Sequence, residues 1–238
     1  MKILITSGGT KIPIDQVRDI TNMSQGTFGS KIATELLHLG HEVYFFKAKG
    51  SKSPMSITLN FVRDNDIWKQ LENVQKLYTS FVDKYKEMEY QTFDDYKERL
   101  ERLVKIEQPN VIVLAAAVSD YGVENPFKGK VRSNDLLTIK LLQLPKIIYY
   151  IKEWCPKAKI VGFKLLVESK EYQLIDAAKR SISDNKCNMI VANDLADIKD
   201  GKHRVHLVFP TGEPITYKTD PNDRDYLARM VAKHIVRL

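Results

Sequence analysis

Ile3-Leu4-Ile5-Thr6-Ser7-Gly8-Gly9-Thr10 is an apolar run ending in a small polar turn, and Asn22-Met23-Ser24-Gln25-Gly26-Thr27-Phe28-Gly29 answers it twelve residues later. A strand that runs into Ser, Gly and Thr, followed by a second glycine pair opening a helix, forms two adjoining cradles of backbone N–H groups suited to phosphate. The expectation is a nucleotide-handling chain. A dinucleotide fingerprint would place its three glycines on one strand-to-helix turn, whereas these are spread over about twenty residues, which disfavours ordinary NAD binding. The bland alternative is that Gly8 and Gly9 supply turn geometry and Gly26 and Gly29 permit close helix packing.

Outward from this segment the chain alternates strands and helices, the pattern of an α/β fold with a mainly parallel sheet. Phe28 to Leu39 is predicted helical from Phe28, Ile32, Leu36 and Leu39, with Gly40 as its stop, and Glu42 to Phe46 is the next strand. From Arg63 to Glu107 apolar residues recur every three or four positions, predicting two helices packed on the sheet, with their aromatic stripe in the core. Val111 to Val118 is a central strand with a polar tip, Ser119-Asp120-Tyr121. Further strands are predicted at Lys159 to Gly162, Met189 to Ala192, Arg204 to Phe209 and Ile215 to Tyr217, with an alternating strand at Leu136 to Leu142. Tyr172 to Asp184 is a helix, and a C-terminal helix is expected from Pro221 with Asp220 as its cap.

The chain has 238 residues, 43% hydrophobic and 28% charged, which fits one globular domain spanning 1–238. Cys155 and Cys187 are too far apart in sequence for a redox or zinc pair, so a reducing compartment fits. No stretch approaches the roughly 18 apolar residues of a membrane span, and no basic N-terminal region leads an apolar one. The expectation is a cytoplasmic protein with no membrane partner. The net charge of +7 draws anions, but Lys and Arg are scattered without interleaved aromatics, so a small anionic substrate is expected and nucleic acid is not.

In open α/β sheets ligands bind at the carboxyl ends of the strands, which puts Asp120 beside Ser7 to Thr10. A carboxylate there would serve as a magnesium or ribose contact, with a turn cap as the alternative. The loop after it carries Lys128-Gly129-Lys130-Val131-Arg132, a basic flap able to bring Lys130 to a polyphosphate, or else merely solvated. His203 and His206 lie three apart in a predicted strand and cannot share a metal. No Ser/His/Asp or Cys/His set is evident.

Six segments, in order along nearly the whole chain, resemble the phosphopantothenate–cysteine ligase family of coenzyme A biosynthesis. They are Ile5-Thr6-Ser7-Gly8-Gly9-Thr10, Ile14-Asp15-Gln16-Val17-Arg18, Ile20 to Gly26, Ala115-Ala116-Ala117-Val118-Ser119-Asp120-Tyr121, Val161-Gly162-Phe163-Lys164-Leu165 and Ala192-Asn193-Asp194. The resemblance implies a Rossmann-like domain with a small β appendage for homodimerisation, to which 122–145 and 204–217 are assigned as flap and dimerisation elements. It also implies the stand-alone form, since the chain begins at the first synthetase strand. The implied reaction joins 4′-phosphopantothenate to L-cysteine through an acyl nucleotidylate, with Mg²⁺ and with CTP, or ATP, as co-substrate.

By the same resemblance Asn22 would hold the acyl intermediate and Lys130 would balance phosphate charge, as the two catalytic residues. Ser7, Gly8, Gly9, Ser24 and Gly26 would offer donors to the phosphates, with Ala116 and Lys164 also at the nucleotide. Asp120 would serve the nucleotide and its metal, Phe163 would pack on base or ribose, and Asn193 would read a base edge. After Lys130 the chain reads Val131-Arg132-Ser133 where many bacterial members continue with lysines, and after Phe163 it reads Lys164-Leu165-Leu166 as eukaryotic-type members do. The rival readings are an NAD(P)-dependent reductase on a similar sheet and a non-catalytic nucleotide-binding module.

Overall fold

A computed structural model describes residues 1–56, 67–133, 136–199 and 203–238. Strand β1 (Lys2–Ser7) leads through a small hairpin, β2 (Lys11–Pro13) and β3 (Asp19–Thr21), into helix α1 (Thr27–His38) and strand β4 (Glu42–Ala48). Then come α2 (Ile67–Phe81), β5 (Tyr85–Tyr90), α3 (Phe93–Glu107), β6 (Val111–Leu114), β7 (Tyr121–Val123) and β8 (Leu141–Gln143). A 3₁₀ turn at Ile147–Tyr150 continues into α4 (Ile151–Trp154), followed by β9 (Lys159–Leu166), α5 (Glu171–Asn185), β10 (Met189–Asp194) and α6 (Leu195–Lys199). Strands β11 (Arg204–Val208) and β12 (Ile215–Lys218) and helix α7 (Tyr226–Ile235) complete the chain.

The main sheet has the order β12-β11-β10-β9-β6-β1-β4-β5, parallel from β5 to β10 and antiparallel at β11 and β12. From β1 the connections go outward to β4 and β5 on one side and to β6, β9 and β10 on the other. The strand order therefore reverses between β1 and β6, and this is where an open α/β sheet leaves a crevice.

Alternation along the strands divides their side chains between two cores. Ile3, Ile5, Val43, Phe45, Val111, Val113, Val161 and Val191 pack under α1 and α7, while Leu4, Phe46, Ile112, Ile160 and Ile190 pack with buried residues of α3, α4 and α5 on the other face. Each such side chain contributes about 1.5–3 kcal/mol on burial, so packing rather than intrinsic helix propensity holds the layers. Helix α1 buries Ile32, Ala33, Leu36 and Leu37 and stops at Gly40, whose φ of +84° lets Gly40 and His41 N–H donate to Leu37 and Leu36 carbonyls at 2.9 and 3.1 Å.

The fold is the expected α/β, Rossmann-like sheet flanked by helices, and several boundaries differ. Tyr85 and Met88 belong to strand β5 and not to a helix, for the edge strand is polar and its Glu87 and Glu89 pair with Lys47 of β4. The aromatic stripe is core in α3 but not in α2, where Trp68, Leu71 and Tyr78 are exposed and Phe81 is buried. Arg63, the start of that predicted helical stretch, lies outside the described residues. Of Leu136 to Leu142 only the end is a strand, because the β7–β8 ladder covers Tyr121–Val123 and Leu141–Gln143 and goes no further than one bond from Glu124 N–H to Lys140 carbonyl at 3.0 Å. The hairpin assigned to the appendage, β11 and β12, extends the main sheet instead, because β11 buries Val205 and Leu207 under α7. Helix α7 begins at Tyr226 and not at Pro221, since the Asp220 carboxylate accepts from Asn222 N–H at 2.9 Å and its carbonyl from Asp223 N–H at 3.1 Å, closing a turn there.

Candidate active site

The ends of β1 and β6 are stitched together at the point of reversal. Ala117 N–H donates to Gly8 carbonyl at 2.7 Å, Thr10 N–H to Ala117 carbonyl at 3.3 Å, and Ser119 N–H to Thr10 Oγ1 at 2.9 Å. Below them Tyr90 donates to Ser7 carbonyl at 2.7 Å, and Ala116 N–H donates to Thr6 Oγ1 at 3.3 Å. The turn is thus fixed from both sides before any ligand arrives.

Helix α1 docks onto this turn so closely that only glycine fits. A Cβ on Gly26 would stand 2.7 Å from Ser7 Oγ, and one on Gly29 2.6 Å from the same atom, while Gly26 also holds φ at +75°. The close-packing role of Gly26 and Gly29 is therefore real, and it brings the helix start to the crevice. Gly26 has no side chain to cap the helix, and the first intrahelical bond is Ser30 N–H to Gly26 carbonyl at 3.0 Å. The N–H groups of Thr27, Phe28 and Gly29 have no intrahelical acceptor, and the helix dipole adds its positive end there, a combination that binds anions.

Above this helix start lies a cleft of about 440 Å³ lined by Ser24, Gly26, Ala116, Phe163, Asn193 and their neighbours. Five of the residues assigned to nucleotide binding therefore meet. Phe163 stands edge-on to Phe28 with ring centroids 6.2 Å apart, forming an aromatic wall, and Asn193 is 8% exposed on the neighbouring strand. The other assigned residues are placed differently. Ser7 is fully buried beneath the cleft and its hydroxyl donates to Gly26 carbonyl at 3.1 Å, so it ties strand to helix instead of offering a donor to phosphate. Gly8 and Gly9 form the floor of the turn, and a Cβ on Gly9 would meet Asn22 carbonyl at 2.8 Å.

Lys164 alternates with Phe163 and Leu165 along β9 and does not line the cleft, a consequence of the two-residue repeat that adjacency in sequence hides. Asn22 is exposed at the rim, where its side-chain amide donates to Ala117 carbonyl at 2.9 Å. That contact anchors the side chain through one N–H and leaves the other available. Asp120 does not line the cleft either. It sits at the start of the β7–β8 ribbon, with its carboxylate paired to Lys146 and its carbonyl accepting from Leu144 N–H at 2.8 Å. Among the described residues no three or more His, Cys, Asp or Glu come together as metal ligands. Asp120, already neutralised by a lysine, does not fit a resident metal site. His206 bonds Thr216 Oγ1 while His203 lies against Phe28, so the two histidines do not converge.

Two carboxylates that received no role from the sequence organise the loops around the cleft. Asp194, at the end of β10, accepts from Glu168 N–H at 3.0 Å, Ser169 N–H at 2.8 Å, Ser169 Oγ at 2.7 Å and Ala196 N–H at 2.9 Å. Burial pushes its carboxyl up, but these donors outweigh burial and hold it at about 2. Asp15, in the tip of the β2–β3 hairpin, has no exposed side-chain surface. The Val131 N–H leads the donors that hold its carboxyl below the usual range, with Val17 and Arg18 N–H and the Arg18 guanidinium adding to it against the cost of burial. The signal was present in the Ile14-Asp15-Gln16-Val17-Arg18 motif, but its partner lies 116 positions away.

The profile of the DNA/pantothenate metabolism flavoprotein C-terminal domain matches residues 1–59 and 82–238. The chain is 33% identical to the coenzyme A biosynthesis bifunctional protein CoaBC of Thermococcus kodakarensis, over 87% of this chain and 44% of that protein. It therefore spans less than half the length of that relative. It is 29% identical to phosphopantothenate–cysteine ligase 2 of rice, Oryza sativa subsp. japonica, over 99% of this chain and 82% of the rice protein. Among solved structures, a Cab2 mutant in complex with phosphopantothenate-cysteine superposes with a TM-score of 0.82 at 25% identity, covering 99% of this chain and 85% of that one.

Proposed function

Because the chain belongs to the DNA/pantothenate metabolism flavoprotein C-terminal domain family, we propose that it is a phosphopantothenate–cysteine ligase. The observation that carries this reading is the glycine-bounded start of α1, three free N–H groups opening into a cleft at the point of strand reversal. The likeness to the rice ligase over nearly the whole chain and to the Cab2 complex supports it.

In this reading a carboxylate oxygen of 4′-phosphopantothenate attacks the α-phosphorus of a nucleoside triphosphate, CTP or ATP. One P–O bond forms, the α–β bond breaks, and pyrophosphate leaves with its electron pair. The amine of L-cysteine then attacks the acyl carbon, nucleoside monophosphate departs, and the amine loses a proton as the amide forms. No protein nucleophile is needed. The N–H groups of Thr27, Phe28 and Gly29 hold phosphate, Ser24 and Gly26 border it, and Phe163 and Asn193 form the wall for ribose and base. Asn22 donates its free amide N–H to the acyl oxygen as charge develops there, and Lys130 balances phosphate charge from the flap. Mg²⁺ arrives with the triphosphate, since nucleotide-bound Mg²⁺ is held largely by phosphate oxygens and water. Asp120 serves the nucleotide only if its pairing with Lys146 opens. A homodimer through the β7–β8 ribbon, where Tyr121, Leu141 and Leu142 are exposed, belongs to the same reading.

The test is pyrophosphate release by the purified protein with 4′-phosphopantothenate and Mg²⁺, CTP and ATP in parallel, with L-cysteine added or withheld. Turnover that depends on cysteine supports the ligase and ranks the nucleotides. Binding of either nucleotide without pyrophosphate release points to a non-catalytic module, and tight NADPH binding points to a reductase.

A further inference from the structure

The loop that carries Lys130 is not simply a solvated basic segment. Phe127 N–H donates to Ile14 carbonyl at 2.8 Å and Gln16 N–H to Gly129 carbonyl at 3.1 Å. Val131 N–H donates to Asp15 Oδ2 at 3.1 Å, and Arg18 Nη2 donates to Val131 carbonyl at 3.0 Å. Both neighbours of Lys130 are therefore fastened to the tip of the β2–β3 hairpin, while Lys130 itself is exposed. Gly129 makes this path possible with φ at +80°, a conformation that strains any L side chain although space around it is open.

Asp15 is the centre of the arrangement. Its Oδ1 accepts from Val17 and Arg18 N–H, both at 2.8 Å, which closes the hairpin tip, while Oδ2 takes Val131 N–H and stands 3.4 Å from Arg18 Nη1. One carboxylate thus serves the hairpin with one oxygen and the flap with the other. The same hairpin leads directly into Asn22 at the cleft rim.

We propose that Asp15 is a positioning residue that latches the Lys130 loop to the β2–β3 hairpin, so that one small ribbon sets the places of both Asn22 and Lys130. The consequence for catalysis rests on the ligase reading; the latch itself does not. An Asn at position 15 has one acceptor oxygen and cannot serve both sides, so the flap contact or the hairpin tip is lost. A misplacement of the order of an ångström costs on the order of 10²-fold in rate.

The experiment compares wild type, Asp15→Asn, Lys130→Gln and the double variant. Amide exchange over residues 129–132 and tryptic cleavage after Lys128, Lys130 and Arg132 are read in the free protein. Asp15→Asn is expected to speed exchange and cleavage there while the protein keeps a cooperative melt, and to lower kcat on the order of 10²-fold. The double variant is expected to be no slower than the slower single one, because a misplaced lysine has little left to lose. Unchanged exchange and cleavage in Asp15→Asn would overturn the latch, and full additivity of the two substitutions would overturn its role in placing Lys130. If wild type shows no ligase turnover, the ligase reading fails and the exchange arm alone decides the latch. Should Asp15→Asn fail to fold, Arg18→Lys, which removes the Nη2 donor to Val131 carbonyl and the guanidinium that faces Asp15 Oδ2, is read the same way: a loosened flap supports the latch and an unchanged one removes it.

Discussion

The two sides of the candidate site are built by different means. On the side of β1, β6 and α1 the geometry is a by-product of the core: Ser7 is fully buried, and Gly26 and Gly29 stand where a single methyl group would collide with its hydroxyl. On the flap side Lys130 is exposed, and its loop is held by a few hydrogen bonds around the Asp15 carboxylate. A phosphate cradle that must be ready before its ligand arrives belongs on the rigid side, where preorganisation costs nothing at the moment of reaction. In the ligase reading, a cation that must admit substrate and then approach it belongs on the side that a small change in hydrogen bonding can open.

That contrast predicts where stability and catalysis separate. The largest effect is expected from Gly26→Ala. The new methyl meets Ser7 Oγ at 2.7 Å, and the residue must keep a φ of +75°, so overpacking and left-handed strain together cost roughly 2–5 kcal/mol. Thermal unfolding and nucleotide binding should both deteriorate. A variant that melts and binds like wild type would show that the rigid side is softer than its contacts imply. Lys130→Gln should do the reverse, lowering the rate on the order of 10²- to 10³-fold with the melting temperature unchanged. Equal activity would remove Lys130 from the mechanism and leave the flap without a catalytic part.

The same division governs what could be read from the chain. Strand β1, helix α1 and strand β4 were legible because their periods change sharply at Gly8, Gly26 and Gly40, whereas the short β2–β3 hairpin between β1 and α1 was not foreseen. Strand β5 was not legible, because Leu77, Phe81, Tyr85 and Met88 keep helical spacing across a helix-to-strand boundary, and the strand's charges are explained only by pairing with Lys47 and Glu42 of β4. Five cleft residues were identified in advance by their motifs. Lys164 and Ser7 were assigned along with motif neighbours, yet facing and burial, which decide their contacts, depend on the strand's place in the sheet. Asp15 and Asp194 were invisible as organisers because their partners come from distant or irregular backbone.

Tyr90→Phe sharpens the comparison with a smaller change on the rigid side. It deletes only the hydroxyl that donates to Ser7 carbonyl at 2.7 Å in a buried setting, so the expected loss is about 1–2 kcal/mol in denaturant unfolding. Lys130→Gln, measured in the same assay, should show none.

Asp194 sharpens the comparison through pH, and the sign of its effect follows from its hydrogen bonds. Its carboxyl titrates at about 2 in the folded protein and near 3.9 in an unfolded chain, so between those values the unfolded state binds the extra proton. The stabilisation is therefore complete above about pH 4 and is lost as pH falls through the folded value near 2. Denaturant unfolding from pH 5 down to pH 2 should show wild type losing stability faster than Asp194→Asn, whose side chain has no proton to gain in that range. Parallel curves would mean that the four donors around Asp194 hold the 168–169 loop equally well without the charge. The wall beside Asn193 would then rest on neutral hydrogen bonds and packing, like the glycine side, and the boundary between the two halves of the site would move to the flap.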